Sequence, residues 1–228
     1  MDFDGTLVEL ADAPDAIRVS PSLRPLLQRL NTVLEGRLAI VTGRAIDDLD
    51  RHLGWSGSAV AGSHGLEFRF ADGTEVPVIV PEGLQQAIAG AHRLAEETPG
   101  LLVEEKPAGV AIHFRRVPDR EPVVDRFMAQ LAEATGLALQ RGKMVVELRA
   151  AGADKGDAVR RLMARPPFSG AQPIFVGDDL TDEHAFRAAA DLGGGGILVG
   201  PERETAARWR LDDVGAVSKW LTEAVQQR

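Results

Sequence analysis

The chain has 228 residues, of which 44% are hydrophobic, and its formal net charge is −8. This length suits one large domain or two small ones; the absence of cysteine excludes disulfide bonds and thiolate catalysis, and the acidic balance argues against a general nucleic-acid binder. No apolar run approaches the ~20 residues of a membrane-spanning helix, and no signal segment opens the chain. We expect a soluble, cytoplasmic monomer that binds neither nucleic acid nor a membrane.

Two acids, Asp2 and Asp4, open the chain and are followed by Gly5 and Thr6. At the end of a buried strand both carboxylates would lie on one face, because strand side chains alternate with a period of two. Only Met1 precedes them, so this strand is very short or begins upstream of the numbering. One carboxylate of such a pair can attack and ligate a metal while the other transfers protons. A turn with two solvated acids is the alternative.

A second strand end follows the apolar run 38–41, which is typical of a strand buried on both faces of a parallel sheet. Thr42 and Arg44 come directly after it, at the edge where ligands bind in open α/β sheets. A third short strand leads into a glycine-flanked loop that contains His64. An ordinary helix cap and a solvated loop histidine are the alternatives.

The predicted order of elements changes over residues 82–150. There the order is helix, hairpin, helix, hairpin, whereas strands and helices alternate in the parts before and after it. We therefore predict a catalytic core from 1–81 and 151–228, with 82–150 as an inserted α+β domain.

The predicted strands of this insertion carry many charged side chains. They are Glu105 and Lys106 at a hairpin turn, His113 and Arg115 on one strand face, and Lys143 and Glu147 on another. A solvated face is the commoner explanation. The alternative is a face that binds a hydroxyl-rich ligand such as a sugar, which needs mixed hydrogen-bond donors and acceptors.

The second part of the core carries a cation and an acidic cluster. Lys155 stands at a predicted helix start, against the preference of the helix dipole, which indicates a cation aimed at an anion. The buried strand 173–176 leads into four acids within six residues, Asp178, Asp179, Asp182 and Glu183. These acids repel one another unless a cation is present, and Mg2+ prefers such oxygen ligands.

Four such sites, at Asp2/Asp4, Thr42, Lys155 and Asp178/Asp182, together resemble the haloacid dehalogenase superfamily of Mg2+-dependent phosphatases. Within it, the chain resembles trehalose-6-phosphate phosphatases, through Thr42-Gly43-Arg44, Gly62-Ser63-His64-Gly65, Glu105-Lys106 before His113-Phe114-Arg115, Gly142 to Glu147, and Gly177 to Glu183. The resemblance covers essentially the whole chain. It implies an α/β fold, with a Rossmann-like parallel-sheet core, helices on both of its faces, and an inserted α+β cap domain that closes over the sugar.

The resemblance also implies roles for single residues. Asp2 would be the nucleophile and Asp4 the general acid and base, while Thr42 and Lys155 would stabilise the transferred phosphoryl group. Mg2+ would be held by Asp2, the backbone carbonyl of Asp4, Asp178 and, through a water, Asp182. The sugar would be bound by Arg44, His64, Glu105, Lys106, His113, Arg115, Lys143 and Glu147.

The activity implied is hydrolysis of trehalose 6-phosphate in trehalose biosynthesis. One alternative is a related capped sugar phosphatase that acts on sucrose phosphate or mannosyl phosphoglycerate. The other, from a different class, is a non-catalytic regulatory domain of the same fold. An intact acidic cluster argues against the regulatory domain, because a silent copy has no need for repelling acids.

Overall fold

The computed structural model describes residues 1–11, 16–152 and 154–226. The chain divides into two compact units, Met1–Pro77 with Ala153–Arg228, and Val78–Gly152. The insertion predicted for 82–150 lies inside the second unit. Within the described ranges, no helix is long and apolar enough to cross a membrane.

The first unit contains two sheets. Its elements in chain order are α1 (Leu23–Val33), β1 (Ala39–Val41), α2 (Ile46–Leu53), β2 (Ala59–Gly62), β3 (Glu67–Arg69), β4 (Glu75–Val76), and, after the second unit, α5 (Lys155–Met163), β9 (Ile174–Gly177), α6 (Asp182–Asp191), β10 (Gly195–Val199), β11 (Trp209–Leu211) and α7 (Val214–Gln226). The sheet orders are β1-β2-β3-β4 and β11-β10-β9. All pairs are parallel except those made by β3, which is antiparallel to both neighbours.

The beginning of the chain lies between these two sheets. The Met1 nitrogen donates to the Ala39 carbonyl, and the Met1 carbonyl accepts from the Val41 amide, both at 2.9 Å. On the other side the Asp2 amide donates to the Val176 carbonyl at 2.8 Å. These bonds link β1 to β9, so Met1 and Asp2 occupy the position of a central strand between the two sheets.

Alternate side chains of the strands enter two separate hydrophobic clusters. Ile40 and Val176 belong to the cluster that contains residues of α1, α2 and α7. Their neighbours Val41 and Phe175 belong to the cluster that contains residues of α5 and α6. This alternation puts helices on both faces of the sheet and confirms the predicted α/β class.

The second unit is an antiparallel sheet with two helices on one face. Its elements are α3 (Leu84–Glu97), β5 (Leu102–Lys106), β6 (Gly109–His113), α4 (Glu121–Thr135), β7 (Ala138–Gly142) and β8 (Val145–Arg149), and the strand order is β5-β6-β8-β7. Val110 and Ile112 of β6 pack with Val146 and Leu148 of β8 against side chains of α3 and α4. The order of elements is the one predicted for an α+β unit.

Arg115, predicted on a strand, and Lys143, predicted in the connection before a strand, both lie outside the strands. Lys143 is in the two-residue turn between β7 and β8, and Arg115 is in a turn after β6. The Phe114 amide still bonds to the Met144 carbonyl, at 3.0 Å. Beyond it β8 has no residue left to pair, because the turn occupies 143–144. The prediction that strand alternation fixes the orientation of Arg115 and Lys143 is therefore wrong.

Candidate active site

Three buried or half-buried carboxylates meet at the ends of neighbouring strands of the first unit. Asp2 lies in the segment between β1 and β9, Asp178 follows β9, and Asp182 begins α6. One oxygen of each lies within 4.8 Å of the others. Burial, followed by the nearby carboxylates, raises the pKa of Asp2 well above its usual range and raises the pKa of Asp178 to about 7.

Lys155 is the cation inside this carboxylate cluster. Its Nζ lies 2.7 Å from Oδ1 of Asp182 and 3.0 Å from Oδ1 of Asp2, and the residue is only 3% exposed. Burial alone lowers the pKa of Lys155, but the two carboxylates outweigh burial and raise it. The lysine is therefore charged. The preceding residue, Asp154, caps α5 by accepting hydrogen bonds from the amides of Gly156 and Asp157.

The loop after β9 folds around the fully buried Asp182. Its Oδ2 accepts hydrogen bonds from the amides of Asp178 and Asp179, both at 3.0 Å. A Cβ on Gly177 would lie 2.4 Å from the Asp182 carboxyl carbon, and one on Gly5 would lie 2.2 Å from an Asp178 oxygen. Both glycines are thus required by close approach, and Gly5 also has a positive φ of 76°.

Asp4 is held by Arg44. Nε and Nη2 of the guanidinium donate to the two Asp4 oxygens at 2.7 and 2.8 Å, which is a bidentate pair. Nη1 donates to Asp48 of α2 at 2.6 Å. Arg44, predicted as a sugar contact, therefore lies between two carboxylates of the core.

Thr42 and His64 are neighbours in the strand-end loops. Thr42 is fully buried; its carbonyl accepts from the His64 amide at 2.9 Å, and its Oγ1 from the Arg44 amide at 3.1 Å. His64 has a φ of 57°, and its ring would lie 2.6 Å from a Cβ on Gly43. Residues other than glycine rarely adopt this conformation, and it directs the ring against the strand end.

In the second unit, the sheet face opposite α3 and α4 carries paired charges. Lys106 Nζ lies 2.6 Å from Glu147 Oε2, and His113 Nε2 lies 2.8 Å from Glu104 Oε2. Burial acts to raise the pKa of Glu104, but the His113 hydrogen bond and the charge of Lys106 outweigh it and lower that pKa. Glu104 and Glu147 are both opposite Ala111 of the central strand β6.

Glu105 lies on the other face of this sheet. It pairs in register with Val110, whose side chain packs against the helices, and its carboxylate is 2.8 Å from His92 of α3. Glu105 is one of the predicted sugar contacts, whereas its neighbour Glu104 is not. The position of the hairpin turn decides between them, because a shift of one residue exchanges the faces.

The predicted residues thus fall into separate groups. The first unit brings together Asp2, Lys155, Asp178 and Asp182, and it pairs Asp4 with Arg44. The second unit brings together Lys106, Glu147 and His113. It does not bring Glu105 to them. Two further polar residues, Gln140 and Arg149, lie on the same face and share a 2.8 Å hydrogen bond.

The chain is similar to known proteins of one family. A family model described as trehalose-phosphatase matches residues 1–214. A probable trehalose-phosphate phosphatase of Sinorhizobium fredii is 41% identical over 203 residues, covering 88% of this chain and 77% of that protein. The trehalose-6-phosphate phosphatase of Escherichia coli is 36% identical over 232 residues, covering 100% of this chain and 87% of that protein.

Solved structures have the same fold. A crystal structure described as a trehalose-6-phosphate phosphatase related protein is 30% identical, with a TM-score of 0.78 over 100% of this chain and 96% of that chain. These matches extend over the strand ends that carry the carboxylates and over the antiparallel unit.

Proposed function

This chain belongs to the trehalose-phosphatase family, and we propose on that basis that it releases phosphate from trehalose 6-phosphate through an aspartyl-phosphate on Asp2. The observation that carries the mechanism is the buried Asp2 carboxylate, 3.0 Å from the Lys155 ammonium and beside two further acids. An oxygen of Asp2 attacks phosphorus, and the bond from phosphorus to the sugar oxygen breaks.

Asp4 moves the protons in both steps. It donates a proton to the leaving sugar oxygen, then takes a proton from the water that attacks the aspartyl-phosphate, so phosphate leaves and the Asp2 carboxylate is restored. The bidentate Arg44 contact supports this role, because it holds both Asp4 oxygens in one orientation. We therefore assign Arg44 to the orientation of Asp4 rather than to the sugar.

Charge on the phosphoryl oxygens is offset by side chains at the strand ends. Lys155 supplies a buried positive charge, which is worth more in a low-dielectric site than in water. Thr42 follows β1 at the same edge and would donate its hydroxyl proton to one phosphoryl oxygen.

The carboxylates of Asp2, Asp178 and Asp182 fit a divalent cation. Their oxygens lie within 4.8 Å of one another. Burial and, after it, the neighbouring carboxylates raise the pKa values of Asp2 and Asp178, so a bound cation would favour the ionised forms of both. We propose Mg2+, a hard ion that prefers oxygen ligands, with the Asp4 carbonyl as a further ligand. When bound, the ion would withdraw charge from the phosphoryl oxygens.

The polar sheet face of the second unit would bind the sugar. Lys106 and Glu147 supply adjacent donors and acceptors for hydroxyl groups, and Glu104 with His113 extends this set. His64, Glu105, Arg115 and Lys143 stay predictions as sugar contacts. The expected monomeric state and cytoplasmic location also stay predictions.

The function is tested by phosphate release from trehalose 6-phosphate, sucrose 6-phosphate, glucose 6-phosphate and 4-nitrophenyl phosphate, each with Mg2+ and with a chelator. We expect Mg2+-dependent release that is fastest, by kcat/KM, for trehalose 6-phosphate. A preference for another sugar phosphate would retain the mechanism and overturn the substrate. No release from any of them by the folded protein would favour the regulatory-domain alternative.

Glu147→Gln is the matched variant for this substrate test. It removes the charge that pairs with Lys106 while keeping the size of the side chain. We expect kcat/KM to fall at least about tenfold for trehalose 6-phosphate, which corresponds to about 1.4 kcal/mol, and to change little for 4-nitrophenyl phosphate. Equal losses on both substrates would contradict a role in sugar recognition.

Arg44→Gln distinguishes orientation of Asp4 from contact with the sugar. Sugar and simple alkyl phosphates have poor leaving groups that need a proton, whereas 4-nitrophenolate does not, and positioned proton transfer is worth about 10²–10⁴ in rate. We expect phosphoenzyme formation in single turnovers to slow about 10²-fold for both trehalose 6-phosphate and propyl phosphate, and much less for 4-nitrophenyl phosphate.

The control is Arg51→Gln, which removes another cation beside Asp48 but none that the structure joins to Asp4. A loss confined to trehalose 6-phosphate, with propyl phosphate unaffected, would favour the sugar contact instead.

A further inference from the structure

The loop between β9 and α6, which we call the acidic loop, contacts a second loop that joins β10 to β11. Arg203, between β10 and β11, donates through Nη2 to the Asp179 carbonyl at 3.0 Å and to the Asp178 carbonyl at 3.4 Å. Its Nη1 donates to Glu183, in the first turn of α6. One guanidinium therefore joins the start of the acidic loop to the helix that follows it.

Glu183 makes further hydrogen bonds to the loop that contains Arg203. It is buried, and it accepts from the Thr205 hydroxyl and the Ala206 amide, both at 2.7 Å. Burial acts to raise the pKa of Glu183, but these bonds and Arg203 outweigh it and lower that pKa. The acid is thus ionised and forms charge-assisted bonds, which are stronger than neutral ones.

These contacts act on a peptide group that also forms the site. The peptide that joins Asp178 to Asp179 gives its carbonyl to Arg203 and its amide to Asp182 Oδ2. The other Asp182 oxygen bonds to Lys155, which in turn contacts Asp2. A continuous set of hydrogen bonds therefore connects Arg203 with the nucleophile.

We propose that Arg203 is a positioning residue for the cation site: it holds Asp178 beside Asp2 and Asp182 against their mutual repulsion before the cation binds. This inference rests on the cation site of the proposed function. The carboxylates of Asp2, Asp178 and Asp182 lie within 4.8 Å of one another and repel when ionised. Because Arg203 fixes the backbone of Asp178, less conformational entropy is lost when the cation binds. Outer residues of this kind typically change metal affinity by about 10–100-fold.

The test is Mn2+ binding to the full chain, measured from the electron paramagnetic resonance of free Mn2+, for the wild type, Arg203→Gln and Arg203→Lys. We expect the dissociation constant to rise about tenfold or more in Arg203→Gln. Arg203→Lys keeps the charge but cannot make the same set of bonds, so we expect an intermediate value. The control is Arg210→Gln, because Arg210 bonds to the Gly200 carbonyl of the same loop and to Asp212.

Urea unfolding of each variant shows whether it is folded under the conditions of the binding measurement. A dissociation constant within twofold of the wild type in Arg203→Gln would overturn the proposal, whatever happens to the unfolding midpoint. An equal rise in Arg210→Gln would also overturn it. If Arg203→Gln does not fold, Arg203→Lys is judged by the same twofold limit. A wild type that binds Mn2+ without releasing phosphate would overturn the proposed function but not this inference.

Discussion

Asp2→Asn is expected to abolish turnover of every phosphate ester, with kcat lower by about 10⁵-fold or more, a loss typical of removing a covalent nucleophile. The amide is nearly the same size as the carboxylate, but it is a poor nucleophile and carries no charge for Lys155 or a cation. The measurement is phosphate release with trehalose 6-phosphate and 4-nitrophenyl phosphate, together with trapping of the phosphoenzyme after acid quench. With a substrate that carries a labelled phosphate, no labelled phosphoenzyme is expected from the variant.

The fold should survive this change. Burial is the main reason that the pKa of Asp2 is raised, so a neutral amide suits this site, and Lys155 keeps its contact with Asp182. Circular dichroism and the urea midpoint should therefore stay near those of the wild type. Normal turnover by a folded Asp2→Asn protein would rule out Asp2 as the nucleophile.

Lys155→Met is expected to lower kcat by about 10²–10³-fold, the usual effect of removing one preorganised electrostatic group, and also to destabilise the protein at pH 8. Without the ammonium, the acids at Asp2, Asp178 and Asp182 have no cation at contact distance among the described residues. Breaking a buried ion pair by removing one partner typically costs about 3–5 kcal/mol. The measurement is the urea midpoint with and without Mg2+.

The pH dependence of this variant has a defined sign. The pKa of Asp178 in the folded protein is about 7, above its ordinary 3.8, so the folded state binds more protons than the unfolded state between these values. Stability therefore falls as pH rises through this interval. Lys155→Met should raise this pKa further, because the charge of the lysine lowers it, so the loss of stability continues as pH rises above 7. The variant should regain stability between pH 8 and pH 5.5, or at pH 8 when Mg2+ is added.

An exposed lysine provides the control for this prediction. Lys219→Met on α7 removes the same charge from a side chain that is 78% exposed, and it should change neither kcat nor the pH profile. If Lys155→Met were no less stable than the control at pH 8 without Mg2+, the carboxylate cluster would not need the lysine.

The parallel-sheet core and the residues at its strand ends follow from patterns in the amino-acid sequence. Apolar runs buried on both faces identify central strands, and a residue directly after such a strand must lie at the carboxyl edge of the sheet. Asp178 could therefore be predicted from local chain direction. Asp2 was indicated by its pairing with Asp4, Lys155 by its place at a helix start against the dipole, and Asp182 by the run of acids after the strand.

Which polar side chains face one another depends on how the elements pack in the folded chain. Arg44 meets Asp4, 40 positions away, and Arg203 meets the Asp178 carbonyl across a packed pair of loops, so neither contact has a local pattern. Glu104 rather than Glu105 joins the charged sheet face because the turn after β5 sets the register. Strand ends are thus determined locally, whereas side-chain partners depend on distances that only the packed chain defines.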